Sequence, residues 1–277
     1  MKVLKKNGPI GIFDSGYGGL TVFRQIVKEL PDYDYVYLGD NARVPYGTRS
    51  FETVHQYTWQ CVQALFDQGC TLVILACNTA SAKALRTIQM EDLPGMHPDK
   101  KVLGVIRPTT ESIGTYTKSR HVGILATPGT VKSDSYKIEI ERFFPDIKVY
   151  QEACPIWVPL VENNETDNEG AEYFVEKNIT RLLKQSPDID TLVLACTHYP
   201  LLYPLIRKFT PPGIQILQQG SLVAHSLRDY LSRHPEIDQK LEKQGNIRFY
   251  TTESPESFNE KGALFFGREV ISKQLIL

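Results

Sequence analysis

The chain has 277 residues, which is enough for one large domain or two ordinary ones with a substantial core. Its 31 Lys and Arg residues nearly balance its 32 Asp and Glu residues, so charge gives no indication of a direct nucleic-acid partner or an anionic membrane. The longest apolar runs are too short to span a membrane or to form a signal-peptide core, and we expect a cytoplasmic protein without a membrane segment.

Short apolar runs alternate along the chain with stretches of helical periodicity. The runs predict strands at 9–13, 35–38, 72–75, 102–106, 122–125, 147–150, 192–194 and 214–217. Helical spacing of apolar residues marks the segments 20–30, 51–68 and 172–185. This alternation predicts an α/β fold with mostly parallel sheets flanked by helices, in which ligands bind beyond the carboxyl ends of the strands.

The two halves of the chain repeat each other imperfectly. The segment 11–16 is echoed by 123–128, and the run that ends at Cys77 is echoed by the run that ends at Cys196. We therefore predict two pseudosymmetric domains with the active site in the cleft between them. The first domain comprises residues 1–99 plus 213–277, and the second comprises residues 100–212.

Five cysteines occur, and their spacing contains neither a CxxC pair nor a Cys/His pair typical of metal ligands. We expect reduced thiols and no metal site. Cys77 and Cys196 differ from the others because each ends an apolar strand and precedes small polar residues at a predicted helix start. The helix dipole and nearby N–H groups at such a position can lower a thiol pKa. The alternative is a buried structural cysteine, which we favour for the other three.

Polar residues follow the same strand ends. Asp14 and Ser15 begin a glycine-rich turn, in which Asp14 could instead be only a helix cap. The turn lacks the lysine and spacing of a phosphate loop. The other candidate ligand-binding residues in such turns are Tyr46, Gly47, Asn78, Thr79, Thr197 and His198. N–H and hydroxyl donors at helix starts suit a carboxylate, so an acidic small molecule is the expected ligand.

His198 lies two residues after Cys196, within reach of a base role toward that thiol. Glu162 could orient its imidazole, as carboxylates do for catalytic histidines. The acidic segment 163–170 that follows Glu162 is either a solvated loop or a flap over the site.

Two thiols on opposite walls of a pocket would permit inversion of a stereogenic carbon. One thiolate would remove a proton from one face, and the other thiol would return a proton to the opposite face. Asp14 would assist Cys77, and His198 would assist Cys196.

These residues belong to a set of motifs that resembles the glutamate racemase family of the cofactor-independent aspartate/glutamate racemase superfamily. The matching segments are 12–21, 37–47, 76–81, 127–130, 158–162 and 195–202, whereas the chain after residue 211 matches only loosely.

The resemblance implies interconversion of L- and D-glutamate without pyridoxal phosphate or metal, which supplies D-glutamate for peptidoglycan. It implies Cys77 and Cys196 as the two acid/bases, assisted by Asp14, His198 and Glu162. The substrate contacts that it implies are Asp14, Ser15, Tyr46, Gly47, Asn78, Thr79, Thr127, Thr130, Thr197 and His198. It also implies a possible homodimer.

Three features depart from the family pattern. Tyr17 replaces a small aliphatic residue, Arg107 replaces a glutamate, and Gln218-Gln219-Gly220 replaces an Asp-Ser/Thr-Gly turn. Other interpretations are a racemase of aspartate, a hydrolase or decarboxylase with one nucleophilic cysteine, and a binding protein without enzymatic activity.

Overall fold

The structure is a computed structural model that describes residues 7–277, and within that range ten strands form two sheets. The strands are β1 (Ile10–Asp14), β2 (Tyr35–Gly39), β3 (Leu72–Leu75), β4 (Lys101–Gly104), β5 (His121–Ala126), β6 (Lys148–Ala153), β7 (Thr191–Ala195), β8 (Gln215–Gln218), β9 (Ile247–Thr251) and β10 (Ser272–Gln274). The first sheet has the order β10-β9-β2-β1-β3-β4, and the second has the order β6-β5-β7-β8. Every neighbouring pair within them is parallel.

Helices connect the strands and cover both sheets. The α-helices are α1 (Leu20–Glu29), α2 (Phe51–Asp67), α3 (Asn78–Lys83), α4 (Leu85–Thr87), α5 (Leu93–Met96), α6 (Ile106–Ser112), α7 (Pro128–Lys132), α8 (Ser135–Phe143), α9 (Trp157–Glu162), α10 (Glu169–Leu183), α11 (Tyr203–Phe209), α12 (Gln219–Arg233), α13 (Pro235–Asp238) and α14 (Pro255–Phe266). Three 3₁₀ turns (Asn41–Arg43, Ile113–Thr115 and Tyr199–Leu202) and a π-helical turn (Ile88–Asp92) complete the elements. The predicted α/β fold with mostly parallel sheets flanked by helices is confirmed.

The central strands consist mostly of apolar residues because helices cover both of their faces. All residues of β1, β2, β3 and β7 are buried, which is the pattern of interior parallel strands. Polar side chains mark where several helices begin: Ser50 accepts a hydrogen bond from the N–H of Thr53 at α2, and Asn168 does so from Ala171 at α10.

Two edge strands lie in different sheets from those that the predicted domain boundaries imply. β4 pairs with β3 in the first sheet, although residues 100–212 were assigned to the second domain. β8 pairs with β7 in the second sheet, although residues 213–277 were assigned to the first. The chain therefore passes from the first sheet to the second near Val105, and it returns from the second sheet to the first near Gln219. We propose these two positions as the boundaries.

The core is shared between the two sheets. One cluster of buried hydrophobic side chains extends from Ile10 and Tyr37 in the first sheet to Leu192 and Leu194 in the second. Helices α1 and α12 lie against each other within it, since Leu20 and Val223 belong to the same cluster. In the described part of the chain no helix is both long and apolar enough to cross a membrane.

Candidate active site

Cys77 and Cys196 occupy equivalent positions at the carboxyl ends of central strands. Cys77 follows β3 at the N-cap of α3, and Cys196 directly follows β7. β3 lies beside β1 in the first sheet, as β7 lies beside β5 in the second. The side chains are 5% and 6% exposed, so both thiols are enclosed. The charge of Cys196 raises the pKa of Cys77, so the thiols from the two sheets are near enough to interact electrostatically.

The surroundings of Cys77 raise its pKa, contrary to the expectation from its position alone. Its Sγ accepts a hydrogen bond from the N–H of Ala80 at 3.4 Å and lies 3.5 Å from Ser15 Oγ. These donors favour the thiolate, as the helix start predicts. Burial and the charge of Asp14 outweigh them and raise the pKa of the Cys77 thiol to about 12. Cys77 is therefore a thiol in the unliganded protein at neutral pH.

Asp14 ends β1 and is completely buried. Its Oδ2 accepts a hydrogen bond from the N–H of Gly16 at 3.0 Å, whereas Oδ1 has no hydrogen-bond partner among the described residues. Burial raises the pKa of Asp14, although His198 opposes this shift. A buried carboxylate oxygen without a partner is costly to maintain, and such an atom is a candidate proton acceptor or ligand contact.

His198 links Cys196 to Glu162. Its Nδ1 lies 3.9 Å from Cys196 Sγ, and its Nε2 lies 3.0 Å from Glu162 Oε1. Burial alone would lower the pKa of His198, but the hydrogen bonds to Cys196 and Glu162 outweigh it and raise the pKa to about 10. Both ring nitrogens of His198 thus face groups that favour the protonated imidazole.

The glycine-rich turn after β1 contacts the second strand end. A methyl group added at Gly18 would overlap both Thr197 Oγ1 and His198 Nδ1, so only glycine permits this approach. Thr21 Oγ1 donates a hydrogen bond to the carbonyl of Thr197 at 2.8 Å. The turn therefore sets the distance between Asp14 and the Cys196 side of the site.

Three predicted ligand-binding hydroxyls meet between α3 and α7. Thr79 Oγ1 lies 3.0 Å from Thr127 Oγ1 and 3.5 Å from Thr130 Oγ1. The N–H of Gly129 donates a hydrogen bond to the carbonyl of Gly47 at 2.8 Å. Both contacts join residues that follow strands of different sheets.

Tyr46, in the same turn as Gly47, is oriented away from these hydroxyls. Its own hydroxyl donates to Asp40, which also accepts a hydrogen bond from Arg43 at 2.7 Å. The side-chain hydroxyl of Tyr46 is therefore engaged within the first sheet's turns, and its carbonyl accepts from the N–H of Arg49 at 3.1 Å, so its main-chain N–H is the part that remains for a ligand.

Asn78 is fixed by two residues that the sequence analysis did not assign to the site. Its Nδ2 donates to Gln219 Oε1 at 2.7 Å, and its Oδ1 accepts from Tyr136 at 2.6 Å. Gln219 belongs to segment 218–220, which departs from the family pattern. This departure was the feature of the sequence that could have pointed to Gln219. Tyr136 carried no signal, because it is an ordinary apolar position of a helical pattern.

Tyr17 and Arg107 are the other two departures from the family pattern, and they contact different parts of the structure. Tyr17 stacks on Phe258 and Phe265 of α14, and Phe265 contacts the ring of His198 edge-on. Arg107 forms an exposed ion pair with Glu111 at 2.6 Å. Tyr17 thus joins α14 to the glycine-rich turn, whereas Arg107 pairs within its own helix.

Three other cysteines and the acidic segment 163–170 do not contribute side chains to the contacts described above. Cys61, Cys70 and Cys154 are free and buried, and burial raises the pKa of each thiol. The segment 163–170 is largely exposed, and Asn168 in it caps α10. Across residues 7–277 no three His, Cys, Asp or Glu side chains are grouped so that they could hold a metal ion.

Fold and candidate site together define a two-lobed parallel α/β protein with one enclosed thiol at an equivalent strand end of each lobe. A profile described as Asp/Glu/hydantoin racemase matches residues 10–226, and the chain belongs to this family. The predicted resemblance and the predicted enzyme class, an amino-acid-racemising isomerase, are thereby confirmed.

Curated relatives named glutamate racemase cover most of the chain. The chain is 40% identical over 258 residues to the glutamate racemase of Streptococcus sanguinis, covering 92% of this chain and 93% of that protein. It is 39% identical over 259 residues to that of Geobacter metallireducens, covering 93% and 92%.

Two solved structures of glutamate racemases superpose on almost the whole chain. A Bacillus anthracis glutamate racemase isoform superposes with a TM-score of 0.88 at 33% identity, covering 98% of both chains. A Francisella tularensis glutamate racemase in complex with D-glutamate gives a TM-score of 0.85 at 30% identity, covering 98% of this chain and 97% of that one.

Proposed function

We propose that this protein is a glutamate racemase that interconverts L- and D-glutamate by two-base proton transfer between Cys77 and Cys196. The observation that carries the proposal is the pair of enclosed thiols at equivalent strand ends of two sheets, each beside its own ionisable partner. A single nucleophilic cysteine, as in a hydrolase or decarboxylase, would leave the second thiol and its partner without a role.

The reaction follows from this placement. A thiolate on one side of the substrate removes the α-proton, which leaves a planar carbanion, and the thiol on the other side donates a proton to the opposite face. The α-carbon loses one C–H bond and gains another, so the product is the mirror image and no redox change occurs. Asp14 exchanges protons with Cys77, and His198 exchanges them with Cys196.

The enclosed site favours this chemistry. Water is excluded from both thiols, which strengthens the electrostatic interactions of the carbanion with its surroundings. The hydroxyl and amide donors of Ser15, Asn78, Thr79, Thr127, Thr130 and Thr197 suit the two carboxylates of glutamate, together with the main chain at Tyr46 and Gly47. These donors position the substrate, and the four ionisable side chains move the protons.

The cellular role follows from the product. We propose that the enzyme works in the cytoplasm without a cofactor and supplies D-glutamate for peptidoglycan. Its partner is the small-molecule substrate rather than a nucleic acid or a membrane, and a homodimer is the proposed assembly.

The substrate is tested with purified protein and separate solutions of L-glutamate, D-glutamate and L-aspartate. Circular dichroism is expected to decay to zero with either glutamate enantiomer and to stay constant with aspartate. In heavy water, deuterium is expected at the α-carbon of the product enantiomer from the first turnovers. Loss of optical activity with aspartate alone would instead identify an aspartate racemase, and no loss with either substrate would contradict racemisation.

The pH dependence tests the role of Glu162. Because its carboxylate and hydrogen bond raise the pKa of His198, Glu162→Gln is expected to shift the alkaline limb of kcat downward by about one pH unit. The raised pKa also stabilises the fold fully below the unfolded histidine's pKa, about 6.5. That stabilisation is lost as pH rises through about 10, so the variant's stability deficit should shrink over that window.

The matched control is Glu165→Gln, in the exposed segment after α9. Its pH profile is expected to coincide with that of the wild type. An unchanged alkaline limb in Glu162→Gln would remove His198 from the proton-transfer scheme.

A further inference from the structure

Gln219 is the first residue of α12 and is only 3% exposed. A buried carboxamide must satisfy one acceptor and two donors, and this one does so with groups from four other elements or turns. Oε1 accepts from Asn78, and the two N–H groups of Nε2 are shared among the Tyr136 hydroxyl, Thr109 Oγ1 and the carbonyl of Val105, so at least one of these bonds is bifurcated. The side chain therefore lies at the junction where the chain passes between the sheets.

Three of these groups form a closed ring of hydrogen bonds. Asn78 Nδ2 donates to Gln219 Oε1 at 2.7 Å, and Gln219 Nε2 donates to the Tyr136 hydroxyl at 2.7 Å. The Tyr136 hydroxyl in turn donates to Asn78 Oδ1 at 2.6 Å. Each group donates once and accepts once within the ring, so turning the Gln219 amide alone would set its nitrogen against Asn78 Nδ2, and turning the Asn78 amide alone would set its oxygen against Gln219 Oε1.

The carbonyl of Val105 fixes the direction of the ring. A ring running in the opposite direction needs both amides turned, which would place Gln219 Oε1 against the Val105 oxygen, now 3.3 Å from Nε2. A carbonyl oxygen has no proton to donate, so two acceptors would face each other. Only one direction is therefore compatible with the surroundings. In that direction Asn78 uses one Nδ2 hydrogen inside the ring and keeps the second.

We propose that Gln219 is a positioning residue that makes Asn78 present an N–H donor, and not its carbonyl, to a carboxylate of the substrate. This inference rests on the proposed function, because it concerns recognition of an anionic amino acid at the same site. A serine or threonine at position 219 is shorter and offers one hydroxyl, so the ring described above requires the glutamine.

The ring also joins the two lobes. Asn78 begins α3 after a strand of the first sheet, whereas Tyr136 lies on α8 and Gln219 follows β8, both of the second sheet. Contacts from the second lobe thus hold the amide of Asn78 in the orientation that directs an N–H toward the substrate.

The first test compares Gln219→Met with Gln218→Met. Methionine has a similar volume but cannot form the ring, so the Tyr136 hydroxyl, the partner that remains, can pair with either the oxygen or the nitrogen of the Asn78 amide. KM for glutamate is expected to rise about tenfold, the size of a hydrogen bond to a charged group, with a smaller change in kcat. Gln218 is the exposed neighbour, and the same change there is expected to leave KM unaltered. An unchanged KM in a folded Gln219→Met protein overturns the proposal.

The second test separates positioning from a merely structural role. In an Asn78→Ala background, Gln219→Met is expected to have no further effect on KM, because the group that it orients is gone. A purely structural effect would instead raise KM by the same factor in both backgrounds, and that outcome would overturn the proposal. Thermal unfolding measured on the same four proteins reports the stability effect separately.

Tyr136→Phe provides a milder variant should Gln219→Met fold poorly. It removes one hydroxyl and two bonds of the ring while the bond between Asn78 and Gln219 remains, so a smaller rise of KM is expected, again absent in the Asn78→Ala background. A rise that persists in that background argues against positioning. Failure of the wild-type protein to racemise glutamate would reject the proposed function itself, whereas active wild type with indifferent variants rejects only this inference.

Discussion

Replacing Cys77 or Cys196 with alanine is expected to lower kcat/KM for glutamate racemisation by about a thousandfold or more. Each thiol handles the proton on one face of the α-carbon, and alanine leaves no group there that could do so. Polarimetry with each enantiomer measures the loss. Because enantiomers have equal free energies in water, kcat/KM must fall by the same factor in both directions.

Isotope exchange distinguishes the two variants. The thiol that remains can still remove the α-proton of one enantiomer and return a solvent deuteron to the same face. We therefore expect each variant to exchange the α-hydrogen of one glutamate enantiomer without inverting it, and the two variants to act on opposite enantiomers. Mass spectrometry after chiral separation measures this exchange in heavy water. Exchange of the same enantiomer by both variants would contradict thiols on opposite faces.

Cys70→Ala is the matched control, because Cys70 is buried, free and in the same hydrophobic cluster as Cys77, but precedes β3 instead of following its carboxyl end. It is expected to cost about 1 kcal/mol of unfolding free energy while leaving racemisation near the wild-type rate. If Cys70→Ala were as inactive as Cys77→Ala, the loss would reflect general disruption of the lobe. Wild-type rates in Cys77→Ala or Cys196→Ala would exclude the two-thiol scheme.

The sequence was sufficient to predict the strands that carry the site. β3 and β7 are short, largely apolar runs that stop at Ala-Cys, which is the composition typical of a parallel strand buried on both faces. Where the signal was weaker, the prediction failed. Only two of the five residues of β9 are buried, and β10 has three residues, so neither produced a recognisable run.

Sheet membership of the edge strands could not be read from the chain. β4 and β8 have ordinary strand composition, and a parallel strand can join either sheet after a helical crossover. The exchange of β4 and β8 relative to the predicted domains is decided by packing between elements far apart in sequence.

The pKa shifts and hydrogen-bond partners of the site residues were the other properties that could not be predicted from the sequence. The position of Cys77 at a helix start suggested a lowered pKa, and the N–H of Ala80 does lie against the sulfur. The opposite shift arises from burial and from Asp14, which is 63 positions earlier in the sequence. The same holds for Gln219 and Asn78, which are 141 positions apart. Such pairs become visible only once the fold is known.

Asp14→Asn is expected to reduce kcat for racemisation by several hundredfold, with a smaller change in KM, because the variant keeps the shape of the side chain but cannot take a proton from Cys77. The asparagine oxygen can still accept the hydrogen bond from Gly16, now 3.0 Å long. The charge of Asp14 contributes to the raised pKa of Cys77, so removing it should lower that pKa from about 12. Thiolate absorbance titrated against pH, with Cys77→Ser subtracted to assign the signal, measures the change.

The two readouts together separate proton transfer from simple electrostatics. If Asp14 acted only by keeping Cys77 protonated, the asparagine variant would form the thiolate more easily and its racemisation would not need to fall. A lowered Cys77 pKa combined with a large loss of kcat therefore requires that the Asp14 carboxylate itself relays the proton. Asp229→Asn, on the exposed end of α12, is the control and should match the wild type in both measurements. A near-normal kcat in Asp14→Asn would restrict Asp14 to holding the glycine-rich turn through Gly16.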